Sequence, residues 1–160
     1  MPEVHLKTIQ ASAFKAIFEV LKDIINDVNV YFTEQGMSIL TIDTAHVTLV
    51  HMSLLAENFE EYDCVGEVTA GMNMSNVYKL LKSVTSQDTL TLDIKGRDVM
   101  EIKIENPVKK SSTEFKLKLL DINEDILDLP DIQMNVVTTI PSIDFQRITR
   151  DMGNLAQDMA

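Results

Sequence analysis

The spacing of apolar side chains changes along the chain, and it does so in the same order three times. Val4 to Ile9 (VHLKTI) alternates apolar and polar positions, the period of a half-buried strand. Past Ser12, which can cap a helix, Phe14, Ile17, Phe18, Leu21 and Ile25 recur at helical spacing. Strands are expected at Val28 to Phe32, Met37 to Ile42 and Val47 to Leu54, with Gly36 turning the chain between the first two. The succession then returns. Val65 to Gly71 reads as a strand, and Ser75 precedes a helix striped by Val77, Leu80, Leu81 and Val84. Strands follow at Thr89 to Ile94, Val99 to Ile104 and Thr113 to Leu119, with Gly96 in the matching turn. Phe14 and Val77, Ile17 and Leu80, Phe18 and Leu81, and Leu21 and Val84 all lie 63 positions apart. The chain therefore contains an internal repeat of strand, helix and three strands.

A third copy begins at Asn135 to Ile140 (NVVTTI), which predicts a strand. Pro141 and Ser142 then open a helix striped by Phe145, Ile148, Met152 and Leu155. The sequence stops at Ala160, before three further strands, and a lone strand and helix cannot bury their apolar faces. The expected fold class is α+β. Residues 1–118 form one domain, 119–134 a connecting loop, and 135–160 the opening of an incomplete second domain, so the chain is expected to be a fragment.

Composition bounds the function. The 160 residues are 45% hydrophobic, enough for a sizeable core, and no apolar run approaches the ~20 residues that span a bilayer. No membrane partner is expected. Cys64 is the single cysteine, which excludes an internal disulfide and fits a reducing compartment. Against 25 acids there are 14 Lys and Arg, for a charge of −11, which argues against nucleic acid if the charges are evenly spread. They are segregated. Glu57, Glu60, Glu61, Asp63 and Glu67 form one acidic window, and Asp121, Glu124, Asp125, Asp128 and Asp131 another. Lys103, Lys109, Lys110, Lys116 and Lys118 collect elsewhere. Such runs ordinarily do no more than solvate a face.

Basic pairs also recur on the polar sides of the three helices: Lys15 and Lys22, Lys79 and Lys82, Arg147 and Arg150. One lysine opposite an apolar stripe is ordinary, but three equivalent helices side by side would form one basic surface. Point charges on long stems suit phosphate contact rather than base reading. The connecting loop is acidic yet carries Ile126, Leu127, Leu129 and Ile132, so it is expected to lie along the body of the protein. Catalytic constellations are missing. Asp43, His46 and His51 lack metal-site spacing, Cys64 sits among acids that raise a thiol pKa, and the five glycines form no phosphate loop. The chain reads as a non-enzyme with no cofactor and no metal.

FEVLKDIINDVNVYFTEQGMSILTIDTAHVTLV from Phe18, GMNMSNVYKLLKS from Gly71, KLKLLDINEDILDLP from Lys116 and IPSIDFQRITRDM from Ile140 resemble the DNA sliding clamp family, in its proliferating cell nuclear antigen branch of eukaryotes and their large DNA viruses. The resemblance runs along nearly the whole chain. It implies the DNA-clamp fold: a ring of three subunits closed head to tail, with paired helices lining the hole and antiparallel sheets outside. Such a ring encircles duplex DNA, is placed by a clamp loader, and tethers DNA polymerase and repair proteins in the nucleus or at a viral replication site. Lys15, Lys22, Lys79, Lys82, Arg147 and Arg150 match DNA-facing positions. Ala16 and Asn154 stand where the family often has a basic residue and a histidine, which implies a weaker grip on DNA.

The resemblance also implies a groove for partner peptides bearing a glutamine and two aromatics, walled by Ile42, His46, Val47, Leu49, Leu127, Leu129 and Pro130. The edge strand carrying Thr113, Phe115 and Leu117 is implied to pair with a neighbouring subunit's second domain. Without the strands that follow the third helix, this chain is expected not to close a trimer. The alternative is a clamp-like protein-binding scaffold, or a checkpoint-clamp subunit, that does not serve a polymerase.

Overall fold

The computed structural model describes residues 3–43, 45, 47–96, 98–123 and 135–154. The chain divides into two compact units, residues 1–128 and 129–160. In the first unit, β1 (Val4–Thr8) leads into α1 (Ala11–Ile24), then β2 (Asp27–Thr33), β3 (Gly36–Ile42) and β4 (Leu49–Leu55). A short 3-10 turn (Ala56–Asn58) and β5 (Glu61–Cys64) follow. The second repeat runs β6 (Val68–Asn73), α2 (Met74–Leu81), β7 (Thr89–Ile94), β8 (Val99–Asn106) and β9 (Ser111–Lys118). β3 and β8 begin 63 residues apart, and β4 and β9 end 63 apart, so the repeat seen in the apolar stripes extends to the strands.

The repeats are not separate bodies. One antiparallel sheet has the order β5-β1-β7-β8-β9 and the other β4-β3-β2-β6. Each sheet thus takes its helix-leading strand from one repeat and its three-strand meander from the other. β1 pairs with β7 through Leu6 and Leu92, and β6 pairs with β2 through Ala70 and Val30. All four of these side chains belong to one core shared by both sheets and both helices. Phe14, Phe18 and Leu21 from α1 with Ile25 just past it, and Val77 and Leu81 from α2 with Val84 beyond it, are buried there, as their spacing predicts.

Several expected boundaries move. The first helix starts at Ala11, and Gln10, not Ser12, occupies its cap position without a side-chain bond. Asn73 caps α2, its Oδ1 accepting from the Asn76 N–H at 3.0 Å. The strand expected from Val65 runs from Val68 to Asn73 because Gly66, at φ 77°, turns the chain first. β5 lies inside the first acidic window, which reads by sequence only as charge. Its four residues are too few to show a period, and they become a strand by pairing Glu61 to Lys7 and Cys64 to Val4. Burial first, then Asp63 and Glu34, push the Cys64 thiol pKa up.

Beyond β9 the chain crosses between the sheets. Leu119 is buried, its N–H donates to Asp98 O at 2.8 Å, and the Leu120 N–H donates to Gly71 O at 2.8 Å. Asn29 Nδ2 then donates to Ile122 O at 3.0 Å. The start of the connecting loop is therefore pinned beside β6 and β2. A Cβ on Gly71 would lie 2.2 Å from Leu120 O and 3.0 Å from Ile122 Cγ1, so only glycine permits this approach. Gly71→Ala is expected to cost about 1–3 kcal/mol, the range for overpacking, and to speed hydrogen exchange at the Leu120 amide. An unchanged Leu120 amide would show that the loop is held by something else.

In the second unit, α3 (Ser142–Gly153) forms where Pro141 and Ser142 predict it. The strand expected at 135–140 does not form. Those residues are exposed and have no ladder partner among the described residues, and strand backbone is stable only when paired. The stripe of α3 is bare: Phe145, Ile148 and Met152 are 56%, 49% and 41% exposed.

Candidate nucleic-acid interface

α1 and α2 pack against each other, and their polar sides carry the four lysines singled out by sequence. The four are not equivalent. Lys15 Nζ donates to Lys82 O at 3.0 Å and Val84 O at 3.1 Å, so it closes the carbonyl end of α2. A cation there also complements the negative end of the helix dipole. Lys22 Nζ lies 2.6 Å from Asp23 Oδ1 and 5.1 Å from the centre of the Tyr78 ring. The Asp23 hydrogen bond is the chief reason the Lys22 pKa is raised. Lys79 and Lys82 are exposed and make no ion pair with any described residue; Lys79 Nζ reaches only Asn76 Oδ1, at 3.5 Å.

The sheet lysines are differently employed. Lys116 and Lys95 sit 3.0 and 2.6 Å from Glu101, and Lys103 sits 2.8 Å from Glu105. Lys7 pairs with Glu61, whose other oxygen lies 3.4 Å from His5 Nε2. His5 Nδ1 is 2.7 Å from Asp93 Oδ1. The five-stranded sheet therefore interleaves most of its cations with acids, although Lys118 on β9 and Lys109 and Lys110 in the β8–β9 hairpin, like Lys79 and Lys82 on the helix face, are exposed without an ion pair among the described residues. Exposed pairs of this kind add little stability, but they remove free positive charge from the sheet.

In the second unit, Arg147 lies 3.4 Å from Asp144 Oδ1, and Arg150 is exposed with no ion pair among the described residues. Ala16 and Asn154, the two departures from the clamp pattern, are both exposed.

The groove residues on the first repeat come from the loop between β3 and β4. Asp43 Oδ1 accepts from the N–H groups of Val47 and Thr48, both at 2.9 Å, and the Asp43 N–H donates to Thr48 O at 2.9 Å. This bonding turns the chain, so β4 begins at Leu49 rather than Val47. It holds three apolar side chains in water: Ile42, Leu49 and Val47, the last 84% exposed. His46, Leu127, Leu129 and Pro130 lie outside the described residues. β9 is an edge strand, bonded only to β8, with Thr113 exposed and Phe115 and Leu117 half-buried against the core.

Tyr78 was not signalled by periodicity or charge. Its hydroxyl donates to Glu19 Oε1 at 2.9 Å, chiefly through which its pKa is raised. The only signal available was an aromatic on the polar side of a helix.

Residues 1–127 match the family described as proliferating cell nuclear antigen, N-terminal domain. A protein named probable DNA polymerase sliding clamp 1, from Paramecium bursaria Chlorella virus 1, is 36% identical over 157 residues. That match covers 97% of this chain and 60% of the relative. Proliferating cell nuclear antigen from Chaetomium thermophilum is 32% identical over 151 residues, covering 94% of this chain and 58% of the relative. The crystal structure of proliferating cellular nuclear antigen from Entamoeba histolytica superposes with a TM-score of 0.90 at 28% identity, over 96% of this chain and 62% of that one. The chain thus spans about three fifths of these relatives' length.

Proposed function

The chain belongs to the proliferating cell nuclear antigen family and has its α+β clamp fold, and on that premise we propose that it is part of a sliding clamp, a polymerase processivity factor that encircles duplex DNA. The observation that carries this reading is the α1–α2 pair, whose polar face gathers Lys15, Lys22, Lys79 and Lys82, with Lys79 and Lys82 exposed and free of ion pairs among the described residues. Flexible, non-directional cations attract any phosphate and read no base, which permits movement along the duplex. Lys15, Lys22, Arg147 and Arg150 complete the lining on this reading.

The apolar loop of Ile42, Val47 and Leu49 supports a second element of the proposal. With His46, Leu127, Leu129 and Pro130 it receives the glutamine-and-aromatic peptides of DNA polymerase and other replication and repair proteins, apolar plugs into an apolar wall. Thr113, Phe115 and Leu117 on the β9 edge take a strand of the next subunit in a homotrimer, because an unpaired edge seeks backbone partners. A clamp loader, and action in the nucleus or at a viral replication site, belong to the same reading.

The test is topological. A chain extended to the length of its relatives is expected to stay on closed circular duplex and to run off the same DNA once linearised. Equal retention on both forms would mean adhesion and would overturn the encircling reading. The engagement of Lys22 by Asp23 favours one rival, a clamp-like scaffold that does not act on DNA. That rival predicts retention on neither form, yet peptide binding that is lost on Leu49→Ala.

A further inference from the structure

The lysines named from sequence account for attraction to DNA but not for the way α1 and α2 differ. We propose that Tyr78 is a positioning residue of the clamp's DNA-facing surface, holding Lys22 and Glu19 in the groove between the two helices and thereby passing phosphate contact to Lys79 and Lys82. This inference rests on the clamp reading above and adds to it a residue and a division of labour.

Three contacts meet at this residue. Its hydroxyl donates to Glu19 Oε1 at 2.9 Å, which fixes that carboxylate beside the ring. The Lys22 ammonium lies over the ring, 5.1 Å from its centre, where the π face attracts a cation. Asp23 Oδ1 holds the same ammonium at 2.6 Å. Glu19, Lys22 and Asp23 together carry one net negative charge, so a phosphate approaching this turn of α1 meets an anionic cluster in place of a free lysine. One turn to the N-terminal side, Lys15 gives two of its three N–H bonds to the carbonyls of Lys82 and Val84, just past the end of α2. On α2 itself, Lys79 and Lys82 are exposed and have no carboxylate partner among the described residues. Counterion release depends on the cations that exchange their own partners for phosphate, so a lysine already matched by a carboxylate and a ring contributes less.

The experiment titrates the full 160-residue chain with a short duplex at several low salt concentrations and reads the slope of log affinity against log salt. Lys79→Ala and Lys82→Ala are each expected to reduce the slope by about 0.9, the amount for one lost phosphate contact. Lys22→Ala is expected to reduce it by less than half of that. In a Tyr78→Leu background, Lys22→Ala is expected to cost more than it does in the unsubstituted chain, though less than Lys79→Ala because Asp23 still holds the ammonium, and Tyr78→Phe, which keeps the ring, is expected to fall between. An effect of Lys22→Ala that is the same with and without Tyr78 overturns the proposal. Should the unsubstituted chain bind no duplex even at low salt, the assignment of phosphate contact to Lys79 and Lys82 fails, while the clamp reading stands or falls by the circular-DNA test of the extended chain. The latch is then read without DNA, from the ring carbons of Tyr78 by NMR. Its phenol is expected to titrate above the ordinary tyrosine value and to move down in Glu19→Gln; identical titration in both chains overturns the latch as well.

Discussion

Phe18→Ala is expected to destabilise the first unit by about 3–5 kcal/mol, the largest effect of any single truncation proposed for this chain. Phe18 is 1% exposed, and its ring meets that of Phe14 at a centroid distance of 5.0 Å. It sits at the centre of the α1 stripe, so its removal leaves a hole that neither sheet can collapse to fill. Domains are stable by only about 5–15 kcal/mol, and this loss is a large share of that margin. The consequence reaches the candidate site, because the α1–α2 packing also seats Lys15 on the end of α2 and Glu19 on Tyr78. Urea unfolding followed by circular dichroism measures the change. Val20→Ala is the control: Val20 lies on the same helix but is 59% exposed, and its loss is expected to stay within about 0.5 kcal/mol. Similar midpoints for the two variants would mean that α1 is not held by its buried stripe.

The second large effect comes from a polar group. Asp88 is 6% exposed, and its carboxylate accepts from the Thr85 N–H at 2.7 Å, the Thr85 hydroxyl at 2.9 Å and Asn106 Nδ2 at 2.5 Å. Asn106 Oδ1 in turn accepts from the Lys109 N–H at 2.8 Å, so one carboxylate ties the turn before β7 to the β8–β9 hairpin. Burial raises its pKa, but the Thr85 and Asn106 hydrogen bonds and the Lys109 charge outweigh burial, and the net shift is downward. A depressed folded-state pKa means stability that is present above the ordinary aspartate value of about 3.9 and lost as pH falls through the lower folded value. Asp88→Ala strands the buried donor of Asn106, at about 1–3 kcal/mol for an unsatisfied group, and removes both hydrogen bonds from the exposed Thr85. Its cost is expected to be about 2–4 kcal/mol at neutral pH and to shrink below about pH 4, where the unsubstituted chain loses its own advantage. Denaturant midpoints at both pH values check this. A cost independent of pH would show that the carboxylate charge contributes nothing.

What could be read from the sequence followed the range of the interaction concerned. Thr89 to Ile94 forms the strand expected over those residues, and the α1 and α2 stripes are buried as spaced, because both depend on periods only a few residues long. β5 was missed because its four residues have no period of their own and gain a ladder only from β1. Residues 135–140 are rich in the β-branched Val, Thr and Ile but have no described partner, so a strand composition remained without a strand. The lysines were found on the helices by spacing, but their inequality was hidden. Lys15 meets carbonyls 67 and 69 positions away, and Tyr78 meets Glu19 across 59.

The sequence by itself determined the repeat, the faces of the first two helices, the segregation of charge and the family. Each is carried by local period or by ordered motifs along the chain. Tertiary structure decided which strands share a sheet and which cations are free. Two self-similar repeats have the same alternation, so nothing local says whether β1 should pair with its own meander or with the other repeat's. Closing a common core settles it by exchange, with β1 beside β7 and β6 beside β2. That exchange brings α1 and α2 together on one shared core, and their contact engages Lys15 and Lys22 while leaving Lys79 and Lys82 in water.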